Sequence, residues 1–133
     1  MRILVAEDDF TSRTMLQRFL DGYGDVDVTV NGSEAIEAFN FALEENEPYD
    51  LICLDIMMPE IDGLKALKNI REKEKSIGVT PENGVKIVMT TALDSTKEIS
   101  DTFYGSGCND YLTKPIDLQR LTIILEKYGI SKN

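Results

Sequence analysis

Asp55 closes an unbroken apolar run, Leu51-Ile52-Cys53-Leu54, and is followed by Ile56-Met57-Met58-Pro59. A carboxylate at the tip of a buried strand is costly unless it is paired or holds a metal. Asp55 is therefore expected just outside the sheet, at its carboxyl edge. Other apolar runs end in matching polar groups. The first ends in Glu7-Asp8-Asp9, the fourth in Thr90-Thr91-Ala92 and the fifth in Thr113-Lys114-Pro115. Each is common at a surface turn when alone; together on one edge they describe a site. Clustered carboxylates repel one another, and a divalent cation with a taste for hard oxygen offsets that repulsion. Mg2+ fits best, with Mn2+ as the alternative. Asp55 then reads as a carboxylate nucleophile toward phosphorus, Lys114 as a second positive charge and Thr91 as a hydroxyl donor.

These residues need a scaffold that brings strand ends together. Strand-like runs occur at Ile3–Ala6, Val26–Val30, Leu51–Leu54, Val85–Met89 and Cys108–Leu112. Helix-period segments alternate with them at about Phe10–Gly22, Ser33–Asn46, Leu64–Ser76, Ser95–Tyr104 and Leu118–Tyr128. Ser33 and Asp117 read as helix caps, Gly22 and Gly129 as stops. Five strands alternating with five helices imply βαβ crossovers and a doubly wound parallel sheet. The near-continuous apolar strands agree, since parallel strands are covered on both faces. Ligands of such sheets bind beyond the carboxyl ends of the strands.

The 133 residues read as one domain over 1–133, with no output domain. Twenty-four acids against 14 bases leave a net charge of −10. That argues against direct nucleic-acid binding, which needs a basic footprint, and against an anionic membrane surface. The N-terminus turns acidic too soon for a signal peptide, and no apolar stretch reaches the ~18 residues of a membrane span. Cys53 and Cys108 lack CxxC spacing and read as buried free thiols, and the absence of histidine argues against zinc. A cytoplasmic protein is expected.

The motifs Ile3-Leu4-Val5-Ala6-Glu7-Asp8-Asp9, Asp55-Ile56-Met57-Met58-Pro59 with Asp62-Gly63, Thr91-Ala92 and Tyr111-Leu112-Thr113-Lys114-Pro115 resemble, in order, those of two-component response regulator receiver domains. The likeness covers essentially the whole chain and is strongest to the single-domain, CheY-like kind. It implies a flavodoxin-like (βα)5 fold with strand order 2-1-3-4-5. That order would put the two cysteines roughly 10 Å apart, too far for a disulfide. It further implies Asp55 as phosphoacceptor, and Glu7, Asp8, Asp55 and the Met57 backbone carbonyl as Mg2+ ligands. Asp9 lies one place beyond the acidic pair. By the same resemblance Thr91 and Tyr111 are switch residues, Lys114 contacts the phosphoryl group, and the Lys114–Pro115 peptide is cis.

The implied function is a phosphorylation-activated switch, with a histidine kinase or histidine phosphotransfer protein as donor and a further protein as target. It would act as a monomer or a weak phosphorylation-dependent dimer, and not as an enzyme beyond self-phosphotransfer and slow autodephosphorylation. Two departures stand out. Met57 and Leu93 are apolar where receivers often place polar groups that position the hydrolytic water. Alternatives are a phosphorylation-independent interaction module and an aspartate-nucleophile phosphatase, which would need an Asp at the Met57 place. In the last helix, Leu118, Leu121, Ile124, Leu125 and Tyr128 share one face. Ile123 points away, near Arg120, and Tyr104 is similarly off the Ile99/Phe103 stripe. By resemblance, Tyr104, Arg120 and Ile123 belong to the partner surface formed by the fourth helix, the fifth strand and the fifth helix.

Overall fold

The computed structural model describes residues 1–92 and 96–132. Its elements run β1 (Arg2–Ala6), α1 (Phe10–Leu20), β2 (Asp25–Thr29), α2 (Gly32–Glu44), β3 (Leu51–Asp55), α3 (Gly63–Ser76), β4 (Lys86–Thr91), α4 (Thr96–Phe103), β5 (Asp110–Thr113) and α5 (Leu118–Lys127). All strand pairs are parallel and the sheet order is β2-β1-β3-β4-β5.

Strand alternation builds two cores. Leu4, Ala6, Ile52, Leu54, Ile87 and Met89 point to one face, beneath Phe39 of α2, Leu67 and Ile70 of α3, and Phe103 of α4. Ile3, Val5, Leu51, Cys53, Val88 and Leu112 point to the other, beneath Leu16 and Leu20 of α1 and Leu121, Ile124 and Leu125 of α5. Both faces of the central strands are thus dry, which explains their unbroken apolar sequence. β2 differs because it is an edge: Val28 and Val30 are exposed.

Several sequence expectations shift. Asp55 is not outside the sheet but the last residue of β3, in register with Thr90 and 2% exposed. Thr90 and Thr91 likewise belong to β4. The cap of α2 is Asn31, whose side chain accepts from the Glu34 N–H at 2.8 Å, and not Ser33, which lies inside the helix. A carboxamide two residues earlier satisfies the orphan amide of Glu34, so the helix starts sooner. α1 stops at Leu20, ahead of Gly22. Asp117 caps α5 as expected, and Gly129, at φ +75°, follows its end. Tyr104 lies just past α4. Cys53 is buried, Cys108 is only half-buried ahead of β5, and both are free thiols. Leu93 lies outside the described residues. No helix among the described residues is long and apolar enough to cross a membrane.

Candidate functional site

The carboxyl ends of β1, β3 and β4 and the loop after β5 converge on one acidic pocket. Glu7 follows β1 directly and is fully buried, and Asp8 beside it is exposed. Carboxylate oxygens of Glu7, Asp8 and Asp55 all lie within 4.8 Å of one another. Such a set of hard oxygen donors fits a divalent cation. Glu7 Oε2 is buried without a hydrogen-bond partner among the described residues. A buried carboxylate oxygen with no hydrogen-bond partner fits the role of a cation ligand.

Lys114 spans the acids. Its ammonium donates to Glu7 Oε1 and, at 3.1 Å, to Asp55 Oδ2. It is carried by the segment after β5, where the Lys114–Pro115 peptide is cis and the Lys114 N–H donates to the Thr91 carbonyl at 2.7 Å. Asp55 Oδ1 accepts the Met57 N–H at 3.2 Å. One ammonium cannot balance three carboxylates. Burial pushes the Glu7 carboxyl up to about 8; the adjoining Asp55 carboxylate adds to this and Lys114 opposes it. For Lys114, burial alone would lower the value, but its bonds to Glu7 and Asp55 outweigh that and hold the ammonium charged.

The loops around the pocket are shaped locally. Asp9 caps α1 by accepting from the Ser12 N–H at 2.8 Å, and that backbone hydrogen bond lowers its pKa. It is thereby engaged outside the acidic trio. Asp62 caps α3 through the Lys65 N–H at 2.9 Å. At Gly63 a Cβ would overlap the Asp55 carbonyl, so only glycine allows the β3–α3 loop to fold back this closely. Arg13 was not singled out from sequence. Its guanidinium donates to the Glu7 carbonyl at 2.9 Å and the Asp8 carbonyl at 3.3 Å, tying the acidic turn to α1. A basic residue one turn into the helix after an acidic strand end is the signal that could have found it.

Thr91 is 2% exposed at the end of β4, in register with Thr113. Tyr111 on β5 is half-buried, stacked on Phe103 at 5.3 Å and 12°, with the Arg120 guanidinium 5.7 Å over its ring. Tyr104 is 90% exposed and Ile123 65%. The Met57 side chain is also exposed, beside Asp55. The structure thus brings Glu7, Asp8, Asp55 and Lys114 together. It gathers Tyr111 and Arg120 into a separate contact.

A family model described as the response regulator receiver domain matches residues 3–126. Hybrid signal transduction histidine kinase L of Dictyostelium discoideum is 32% identical over 99% of this chain, which spans only 7% of that kinase. The receiver domain of the Arabidopsis thaliana histidine kinase CKI1, complexed with Mg2+ and BeF3−, superposes with a TM-score of 0.80 at 28% identity, covering 96% of this chain and 89% of that one. The receiver domain of Ssk1 from Saccharomyces cerevisiae, in co-crystals with the histidine phosphotransfer protein Ypd1, gives a TM-score of 0.80 at 32% identity, covering 95% and 87%.

Proposed function

The chain belongs to the response regulator receiver family and is a receiver domain of two-component and phosphorelay signalling; from that premise we propose that Asp55 is its phosphoacceptor. The supporting observation is a single constellation: a buried carboxylate, bonded by Lys114, within 4.8 Å of two further acids. In the proposed step an Asp55 oxygen attacks the phosphorus of a phosphohistidine on a histidine kinase or histidine phosphotransfer protein. The O–P bond forms an acyl phosphate, the P–N bond breaks, and its electron pair returns to the imidazole, which recovers a proton from water.

Glu7, Asp8, Asp55 and the Met57 backbone carbonyl would hold Mg2+, or Mn2+ in its place. Bound there, the ion supplies charge neutralisation for phosphoryl oxygens. Lys114 supplies a second positive charge, kept by its bonds to Glu7 and Asp55, and Thr91 a hydroxyl at the adjacent strand end. Asp8, the exposed member, leaves the pocket open to a donor protein. The domain turns over no separate substrate in this reading; it resets by slow hydrolysis of its own acyl phosphate. The output runs through α4, β5 and α5. Thr91 moves toward the phosphoryl group, Tyr111 turns inward from its contact with Phe103 and Arg120, and the surface with Tyr104, Arg120 and Ile123 changes its affinity for a target protein. The switch works as far as the target binds the two states differently.

Incubation with a small phosphodonor and Mg2+ should add one acid-stable, base-labile phosphate by mass. Equal labelling of Asp55→Asn would overturn the assignment. For the output face, a beryllofluoride mimic should shift resonances of α4, β5 and α5. Target capture should fall in Tyr104→Ala and Ile123→Asp. Shifts confined to the loops around Asp55, with both variants binding normally, would place the output surface elsewhere.

A further inference from the structure

We propose that the free edge of β2 is a docking site for an extended basic segment of a partner protein, which adds a sixth strand to the sheet. β2 pairs with β1 alone. The Asp25 N–H donates to the Met1 carbonyl and the Thr29 carbonyl accepts from the Glu7 N–H. Backbone groups of Asp25, Asp27 and Thr29 therefore point at β1. By strand alternation, those of Val26 and Val28 point outward. Further along, the Val30 N–H is taken by Glu34 Oε1 at 3.3 Å, which closes the edge at that end. Two consecutive outward rungs are left open.

Side chains on the two faces of this edge differ in kind. Val28 and Val30, each 39% exposed, continue the side of the sheet that carries α1 and α5. The opposite side is acidic. Asp25 and Asp50 are exposed, and the side chains of Asp27, Glu45 and Glu47 are 48%, 42% and 75% exposed. Arg2 lies among them and contacts Asp27, Glu45 and Glu47, so among the described residues one side-chain cation is shared by three of these acids. Edges are commonly guarded by charge, often lysine. Here the guard is acidic, and it discriminates. A second copy would set Asp25 and Asp27 against their own equivalents, and like charges opposite one another destabilise a strand pair. A segment alternating Lys or Arg with apolar residues satisfies both faces in one register: cations toward Asp25 and Asp27, apolar groups toward Val26 and Val28. Main-chain bonds would supply affinity and the alternation specificity. The edge lies apart from Asp55, so this inference does not depend on the phosphoacceptor reading.

The test uses the unphosphorylated chain and a short peptide alternating lysine and valine. Controls are a peptide of the same composition in two blocks and a glutamate–valine alternation. Amide exchange by NMR should show the Val26 and Val28 amides slowed about tenfold or more by the alternating peptide, with those of Asp25 and Asp27 unchanged. Asp25→Lys with Glu47→Lys should weaken binding about tenfold. Val28→Pro removes an outward amide without breaking the ladder to β1 and should abolish the protection. Equal binding of the block peptide, no change at Val26 and Val28, or protection of these amides by self-association without peptide would each overturn the proposal. If the proline variant fails to fold, the lysine variants decide it.

Discussion

The two ends of the sheet each bury a charged network, and the two are built to opposite ends. At the amino end, Arg71 and Glu74 of α3 form an ion pair with side chains 11% and 6% exposed. Arg71 Nε, Nη1 and Nη2 donate to the Gly107 carbonyl, Glu74 Oε1 and Asn109 Oδ1. Glu74 Oε2 accepts the Val85 N–H at 2.8 Å, and Asn109 Oδ1 also accepts the Ile87 N–H. Charges balance there and each Glu74 oxygen has a partner. At the carboxyl end, Glu7 and Asp55 share Lys114, Asp8 stands within 4.8 Å of both, and Glu7 Oε2 has no hydrogen-bond partner among the described residues. A closed network holds elements together; an open, charge-unbalanced one is a place to bind something.

The widest expected gap between the two ends is in stability. Arg71→Met leaves Glu74 buried and uncompensated and should cost about 3–5 kcal/mol, read by urea unfolding. Asp55→Asn at the other end removes a like-charge neighbour of Glu7 while Lys114 keeps a partner. In Mg2+-free buffer it should raise stability by about 1 kcal/mol. A loss as large as that of Arg71→Met would mean the carboxyl-end cluster is a structural network too.

Next in size is the effect of Lys114→Met on chemistry. Loss of a preorganised donor should slow labelling from a small phosphodonor by about 10²–10³-fold. Arg71→Met, assayed where it is folded, should label at close to the parent rate.

The third expectation separates the ends by pH. Glu7 holds its proton more tightly folded than unfolded, with a folded value of about 8 against an ordinary 4.5. Its contribution to metal-free stability is therefore full below pH 4.5 and is lost as pH rises through 8. Mg2+ relieves a cost present only when Glu7 is charged, so it should raise the melting temperature by a few degrees more above pH 8 than at neutral pH. A Mg2+ effect independent of pH would remove Glu7 from the cation site.

The smallest effect is kinetic. Met57 offers no side-chain hydrogen bond to water attacking an acyl phosphate. Met57→Asn should shorten the life of the label by a few-fold, about 10-fold at most. An unchanged or longer life would show that this side chain does not limit hydrolysis.

The open end was far more legible in the sequence than the closed one. Glu7, Asp55, Thr91 and Lys114 each interrupt or end an apolar strand run, and a charge is conspicuous there. Arg71 and Glu74 sit in a helix crowded with Lys, Arg and Glu, where two more charges attract no notice. Arg13 was hidden for another reason: its partners are the backbone carbonyls of Glu7 and Asp8, which no side-chain pattern marks. The misplacement of Asp55 has a related cause. A carboxylate was expected outside the sheet because its partner, Lys114, lies 59 residues away. Once Lys114 and the Met57 N–H are in place, the last β3 position can bury it.

What the sequence determined by itself is whatever depends on near neighbours: the alternation of strands and helices, the cap at Asp117, and the polar groups at strand ends. What only the tertiary structure decided is which ends meet. The order β2-β1-β3-β4-β5 makes β2 an edge and so leaves Val28 exposed. It carries Lys114 across 107 residues of chain to Glu7. It also sets Arg71 against Gly107 and Asn109. Hydrophobic periodicity specifies that a strand is buried, but it is blind to the neighbour that buries it. Pairing of charges at the sheet's two ends follows from that choice of neighbour.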